Sequence, residues 1–149
     1  MKNIYNWFRK LIRGEPHLKI IRDDGPYMHR WHLIPKNRWF NIYLHHFLGS
    51  DLDGALHNHP WPSISIIIFG KYLEHTESGS RIVKAFRPKF RGPNFYHRIE
   101  LIDGPVWTLF MTGPVIQKWG FLCPKGHVDS DKAIIEKLDG VHSGVRCPD

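Results

Sequence analysis

Two histidines one residue apart, His57 and His59 in LHNHPWPS, carry the clearest potential for chemistry in this chain. In an extended segment, side chains two apart point the same way, so both imidazoles can reach one ion if that face lines a cavity. Imidazole suits Fe, Ni, Cu, Zn or Mn, and a useful site needs a further ligand from elsewhere. The pair alone is a weak signal, because 11 His in 149 residues give about 0.8 such pairs by chance. The best third donor is His97 in RGPNFYHRIEL, where the Gly92-Pro93 corner sets the start of a strand and so the aim of the imidazole. Phe95, His97 and Ile99 share one side of that strand, and Tyr96 and Arg98 the other.

Several neighbours could shape a pocket. Trp61 lies two beyond His59, but Pro60 and Pro62 each remove a ladder donor and predict an edge or bulge, so its indole could wall the pocket or pack in the core. Asp51 and Asp53, in GSDLDGA, could orient a histidine or simply form a solvated turn. His29, His32, His46, His75, His127 and His142 read as surface or structural residues. His45 stands apart, sharing a strand face with Tyr43 and Trp39 just ahead of the first pair.

These residues must be held by strands. Candidates are 17–22, 27–34, 38–47, 63–69, 71–76, 81–86, 94–101, 106–112 and 116–122, separated by DDGP, PKN, GSDLDGA, ESGS, RPKFRGP, IDGP and TGP, which carry the Gly, Pro, Asn and Asp that turns need. Nine short strands at near-regular spacing predict an antiparallel sandwich or barrel rather than β-α-β units. Residues 1–14 place Ile4, Trp7, Phe8, Leu11 and Ile12 at helical spacing beside Lys2, Arg9, Lys10 and Arg13. That segment is too short and too charged to span a bilayer; it could lie on a membrane or a partner, or dock on its own domain. SDKAIIEKLDG predicts a short C-terminal helix capped by Ser130 or Asp131 and stopped by Gly140, and VHSGVRCPD a tail.

The length predicts one domain over 1–149, with a helix at 1–14, a barrel over 17–122 and an extension over 123–149. A net charge of +7 favours something anionic as partner, but the Lys and Arg are scattered, so no specific nucleic-acid partner is predicted. With only Cys123 and Cys147, a reducing cytoplasm is the default, and whether the two pair is open. No GxSxG, GxxxxGK or CxxC occurs, so serine-hydrolase, P-loop and zinc-ribbon readings lose their usual support.

Over residues 38–122 the sequence resembles the cupins, whose double-stranded β-helix, a jelly-roll barrel, carries H-x-H, then Glu and Gly, and later a Gly-Pro-like turn and His. Here HNHPWPSISIIIFG supplies His57, His59 and Gly70, and RGPNFYH supplies His97. SDLDGALHNHPW and WGFLCP resemble, more narrowly, small bacterial and phage cupins. Ser63 falls where the superfamily has its Glu, which implies a neutral three-histidine site similar to that of thiol dioxygenases. Glu74 lies beyond Gly70 on the next strand and is not taken as a ligand.

The resemblance implies one divalent metal on His57, His59 and His97, with Fe(II) favoured over Zn, Ni or Mn. It also implies a small-molecule substrate met by His45, Tyr43, Trp61 and Ser63, with Asp51 and Asp53 behind the ligands. Non-haem dioxygenase chemistry needs open positions beside three protein ligands. The alternatives are a non-redox or metal-free isomerase or hydrolase, and a ligand-binding module without turnover. Pairing into a homodimer is a further expectation from the resemblance.

Overall fold

Along β5 (Ser63–Phe69) the buried positions are Ser63, Ser65 and Ile67, while Ile64, Ile68 and Phe69 are exposed, the period-two pattern of a strand with one covered face. The computed structural model describes residues 2–52, 54–138 and 141–148. Chain order is α1 (Lys2–Ile12), β1 (Leu18–Arg22), β2 (Gly25–His32), β3 (Asn41–Phe47), β4 (Leu56–His57), β5, β6 (Lys71–Thr76), β7 (Gly79–Lys84) and β8 (Lys89–Arg91). It continues with β9 (His97–Leu101), β10 (Val106–Thr112), β11 (Gly120–Cys123), β12 (Gly126–Asp129), β13 (Ile134–Leu138) and β14 (Val141–Arg146).

The strands form two six-stranded antiparallel sheets, β1-β2-β3-β10-β5-β8 and β12-β11-β4-β9-β6-β7, and a β13-β14 hairpin. The expectation of an all-β jelly roll behind an N-terminal helix holds. Ile67 and Val106 of the first sheet pack on Tyr72, Val83 and Ile99 of the second, with Phe47, Ala85 and Leu101 around them. Large apolar side chains buried this way contribute about 1.5–3 kcal/mol each. This plug sits toward the tight β5–β6 turn, where Gly70 has φ +86° and a Cβ would stand 2.9 Å from the Pro105 carbonyl oxygen. Further along, the interior turns polar, with Asn41, His45, Ser65, Glu74, Arg91, His97 and Thr108 all buried.

Helix α1 anchors through Trp7, whose indole Nε1–H donates to the His32 carbonyl at 2.8 Å, and leaves Ile4, Tyr5, Phe8 and Ile12 exposed. No helix among the described residues is long and apolar enough to cross a membrane.

Several sequence expectations are corrected. The segment read as a C-terminal helix contains β13, paired with β14 in what read as a tail, and the expected stop Gly140 lies outside the described residues. An eleven-residue helical pattern is marginal alone, and β-branched Ile134 and Ile135 fit a strand once a partner is available. RPKFRGP, read as a turn, contains β8, which pairs with β5 and carries Arg91. Trp39 does not join the face of His45; it lies ahead of β3 and is exposed. Predicted starts at 38, 94 and 116 fall instead at Asn41, His97 and Gly120.

Cys123 and Cys147 are joined in a disulfide that ties the end of β11 to the residue after β14. The thiol count therefore no longer argues for a reducing compartment. Beside the bridge, Ala55, Phe121 and Val145 form a second buried cluster. The crosslink spans 24 residues, so reduction or Cys147→Ser should lower stability by roughly 2–4 kcal/mol. Urea denaturation with and without dithiothreitol measures this; an unchanged midpoint would show that the bridge is not what holds the hairpin.

Candidate metal centre

His57 and His97 face each other directly across the antiparallel pair β4–β9. Opposed residues in such a pair present their side chains to one face, so a single register contact places two imidazoles together, with ring centroids 5.0 Å apart. His59 joins from the irregular stretch after β4, and its Nε2 lies 3.0 Å from Nε2 of His97. One nitrogen from each of the three falls within 4.8 Å of the others. Two nitrogens held at about 2.1 Å from one ion and at right angles across it stand about 3.0 Å apart, so the His59–His97 spacing fits two ligands of one first-row metal.

The segment carrying His59 is fixed by its neighbours. Asn58, buried and pointing away from the centre, exchanges bonds with Gly120: its N–H donates to the Gly120 carbonyl at 3.0 Å, and its Oδ1 accepts from the Gly120 N–H at 2.8 Å. Gln117 Nε2 donates to the carbonyls of His59 at 3.2 Å and Pro93 at 2.7 Å, bracing the first motif against the turn before His97. The carbonyls of Pro60 and Pro62 accept from the N–H groups of Ile116 and Gly113, so the proline-rich stretch leaves the ladder yet stays tied.

Behind His97 stands Glu74, with no exposed surface. Its Oε1 lies 3.1 Å from His97 Nδ1 and accepts from Arg91 at 2.8 and 2.5 Å; its Oε2 accepts from Arg81 at 3.1 and 2.9 Å. Burial alone would raise this carboxyl, but the bond from His97 and the guanidiniums of Arg91 and Arg81 outweigh it and hold it far below the usual range. An ionised carboxylate only accepts, so His97 carries its proton on Nδ1 and turns the Nε2 lone pair toward the centre. Arg91 also donates to Ser65 Oγ at 2.6 Å and Tyr72 Oη at 3.1 Å.

The triad opens into a cavity of about 560 Å³ between the sheets. Burial pushes His57 down to about 4 and His59 well below 6.5, so both are neutral and fit to ligate at neutral pH. Asp51 also lines the cavity, its Oδ2 3.9 Å from His57 Nδ1 and 2.7 Å from the Ile99 N–H, while its Oδ1 accepts from Tyr27. His45 and Trp61 form part of the wall. Trp61 stacks near His59, ring centroids 6.2 Å apart, and its buried Nε1–H has no acceptor among the described residues. Tyr43 stands behind the wall, stacked on His45. Ser63 is buried and does not line the cavity; Ser65, two residues on, does. Asp53 lies outside the described residues.

Glu74, Arg91 and Gln117 were missed by the sequence reading. Glu74 carried a signal, a carboxylate in a strand at the parity of buried Tyr72, but nothing local pointed it at His97.

No protein-family description matches the chain, and no curated protein matches its sequence. Among solved structures it is similar to the DMSP lyase DddQ from Ruegeria pomeroyi DSS-3, with a TM-score of 0.51 and 16% identity over 68% of this chain and 54% of that one. It is similar to Fe(II) HppE, with a TM-score of 0.53 and 14% identity over 64% and 54%. It is also similar to a conserved protein with a double-stranded β-helix domain from Klebsiella pneumoniae, with a TM-score of 0.52 and 15% identity over 68% and 89%. The fold is therefore a double-stranded β-helix. The chain spans about half the length of the first two, 54% in each case.

The neutral state of His57 and His59 makes a prediction about acid. In the metal-free protein His57 and His59 stay neutral at a pH where the unfolded chain protonates them, so stability falls as pH drops from about 6.5 toward 4. His57 alone accounts for about 3 kcal/mol, and Glu74, also depressed, adds to the loss at the acid end. Urea midpoints between pH about 7.5 and about 4.5 read this directly; a flat profile would contradict the neutral state of His57 and His59.

Proposed function

We propose that the chain is a metal-dependent enzyme acting on a small molecule in the cavity between the sheets, with His57, His59 and His97 as the ligands. The observation that carries this reading is the set of three imidazole nitrogens within 4.8 Å of one another, opening on a cavity of about 560 Å³. The donor set is neutral, so a divalent ion keeps its full charge toward its open positions, where it supplies Lewis acidity or redox chemistry. Iron is the favoured ion, supported by the imidazole donors and by the likeness to a protein that holds Fe(II); zinc, nickel and manganese are the alternatives. Within this reading Glu74 fixes the tautomer and aim of His97, Asp51 biases His57 by its charge, and Trp61 excludes water from one side of His59.

A non-redox reading is favoured by a different observation. Asp51 and Tyr27 share a hydrogen bond on the cavity wall, so a carboxyl and a phenol that could relay a proton already stand together beside the triad. A lyase or isomerase would use these groups without consuming oxygen.

Metal analysis of protein purified without chelators or an affinity metal tests the first reading, and about one first-row ion per chain is expected. His57→Ala should abolish stoichiometric loading, and Glu74→Gln should weaken metal affinity by about 10–100-fold. A wild-type protein that stays empty when offered Fe(II), Zn(II), Ni(II) and Mn(II) ends the proposal. Oxygen uptake by the Fe(II)-loaded protein, set against turnover under anaerobic conditions, separates the redox from the non-redox reading.

A further inference from the structure

Four charged side chains line the cavity: Arg22, Arg30, Asp51 and Arg91. Three are compensated within the chain. Arg91 is bound by Glu74, Arg22 donates to Asp24 at 3.1 and 3.2 Å, and Asp51 accepts from Tyr27 and from the Ile99 backbone. Arg30 is different, because no carboxylate pairs with it among the described residues. Its Nε donates to Nε2 of His45 at 2.8 Å, and its guanidinium carbon lies 4.8 Å from the centroid of the Tyr43 ring.

The contact with His45 determines what Arg30 has left to offer. An Nε–H can donate only to an imidazole nitrogen bearing a lone pair, so His45 has no proton on Nε2 and cancels none of the guanidinium charge. Burial, with the Arg30 charge second, holds His45 well below its ordinary value, which keeps it in that neutral form. Arginine does not shed its own proton. The chain thus holds a full positive charge at the cavity wall, with one edge taken by His45 and the Nη1 and Nη2 groups facing no acceptor among the described residues. A charge so placed attracts an anion into the cavity, and the two Nη groups present parallel N–H donors at the spacing of two oxygens of one oxyanion.

The position relative to the histidine triad also fits. The ring of Phe110 lies 5.1 Å from that of His45 and 6.2 Å from that of His59, so one apolar ring separates the two polar regions. We propose that Arg30, held by His45 and Tyr43, anchors an oxyanion on the substrate, a carboxylate or a phosphate-type group, whose apolar middle passes Phe110 and whose reacting end lies at His57, His59 and His97. This names the substrate class for the cavity and rests on reading that cavity as the substrate site.

The test uses the full-length, metal-stripped protein, so that it stands apart from metal loading. Butyrate, its neutral isostere butyramide, and methyl phosphate are titrated at constant ionic strength, with Arg and Trp side-chain N–H resonances as the readout. The wild type should bind at least one of the two anions about tenfold or more tighter than butyramide, the Arg30 Nε–H signal should move, and Arg30→Gln should erase the preference. Whether butyrate or methyl phosphate binds better decides between the two oxyanion classes. Equal binding of anions and amide by the wild type overturns the proposal even if the variant fails to fold, as does a preference that survives in Arg30→Gln. An anion preference in a protein that never takes up metal would leave the anchor standing and remove the metal reading; a metal-loading protein without the preference would do the reverse.

Discussion

Glu74 has no exposed surface, and a carboxylate in that position can stay ionised only if its surroundings replace the water it has lost. Arg81 does so from β7 and Arg91 from β8 in the opposite sheet, and His97 donates from β9. Around this one charge β6, β7, β8 and β9 are brought into a fixed relation. Arg91, once engaged, reaches on to Ser65 and Tyr72 and so links the two sheets through their polar interior. Removing one partner of such a buried pair typically costs about 3–5 kcal/mol, because the other is left uncompensated. The same arrangement sets the proton of His97 on the nitrogen away from the centre, so the interaction that makes the interior tolerable also leaves the Nε2 lone pair facing the other two histidines.

The interior is divided by this requirement. Toward the β5–β6 turn, Ile67, Tyr72, Val83, Ile99 and Val106 close the barrel with ordinary apolar packing. Beyond them buried His, Ser, Thr, Arg and Glu stand among apolar side chains such as Met28, Phe110 and Phe121, and together they leave a cavity rather than a filled core. The cavity is kept in shape by bonds that use few side chains: Asn58 on Gly120, Gln117 on two carbonyls, Asp51 on the backbone of Ile99. The disulfide and the β13–β14 hairpin close the side near Phe121, so a stretch outside the two sheets still contributes Val145 to the cavity wall.

Much of this was written locally. Alternation of side chains placed His57 and His59 on one extended segment, turn residues marked most of the strand ends, and Gly92-Pro93 marked the approach to His97. The positions of Tyr43 and Ser63 show the limit of the same logic. Both have the inward parity expected of pocket residues, yet Tyr43 stands behind His45 and Ser63 lies off the cavity. Parity decides the face of a strand, and depth along the strand decides what that face meets.

The sequence by itself determined the all-β architecture, the N-terminal helix and the three histidines that meet, because strand periodicity, turn chemistry and ligand type are properties of neighbouring residues. Only the tertiary structure decided that Glu74 serves His97, that Arg91 compensates Glu74, that Arg30 meets no carboxylate among the described residues, and that 134–138 and 141–146 are paired strands instead of a helix and tail. Each of these depends on which strand lies across from which and in what register. Register is fixed by the whole sheet at once: a shift of one residue turns every side chain to the other face, and no local pattern records the partner.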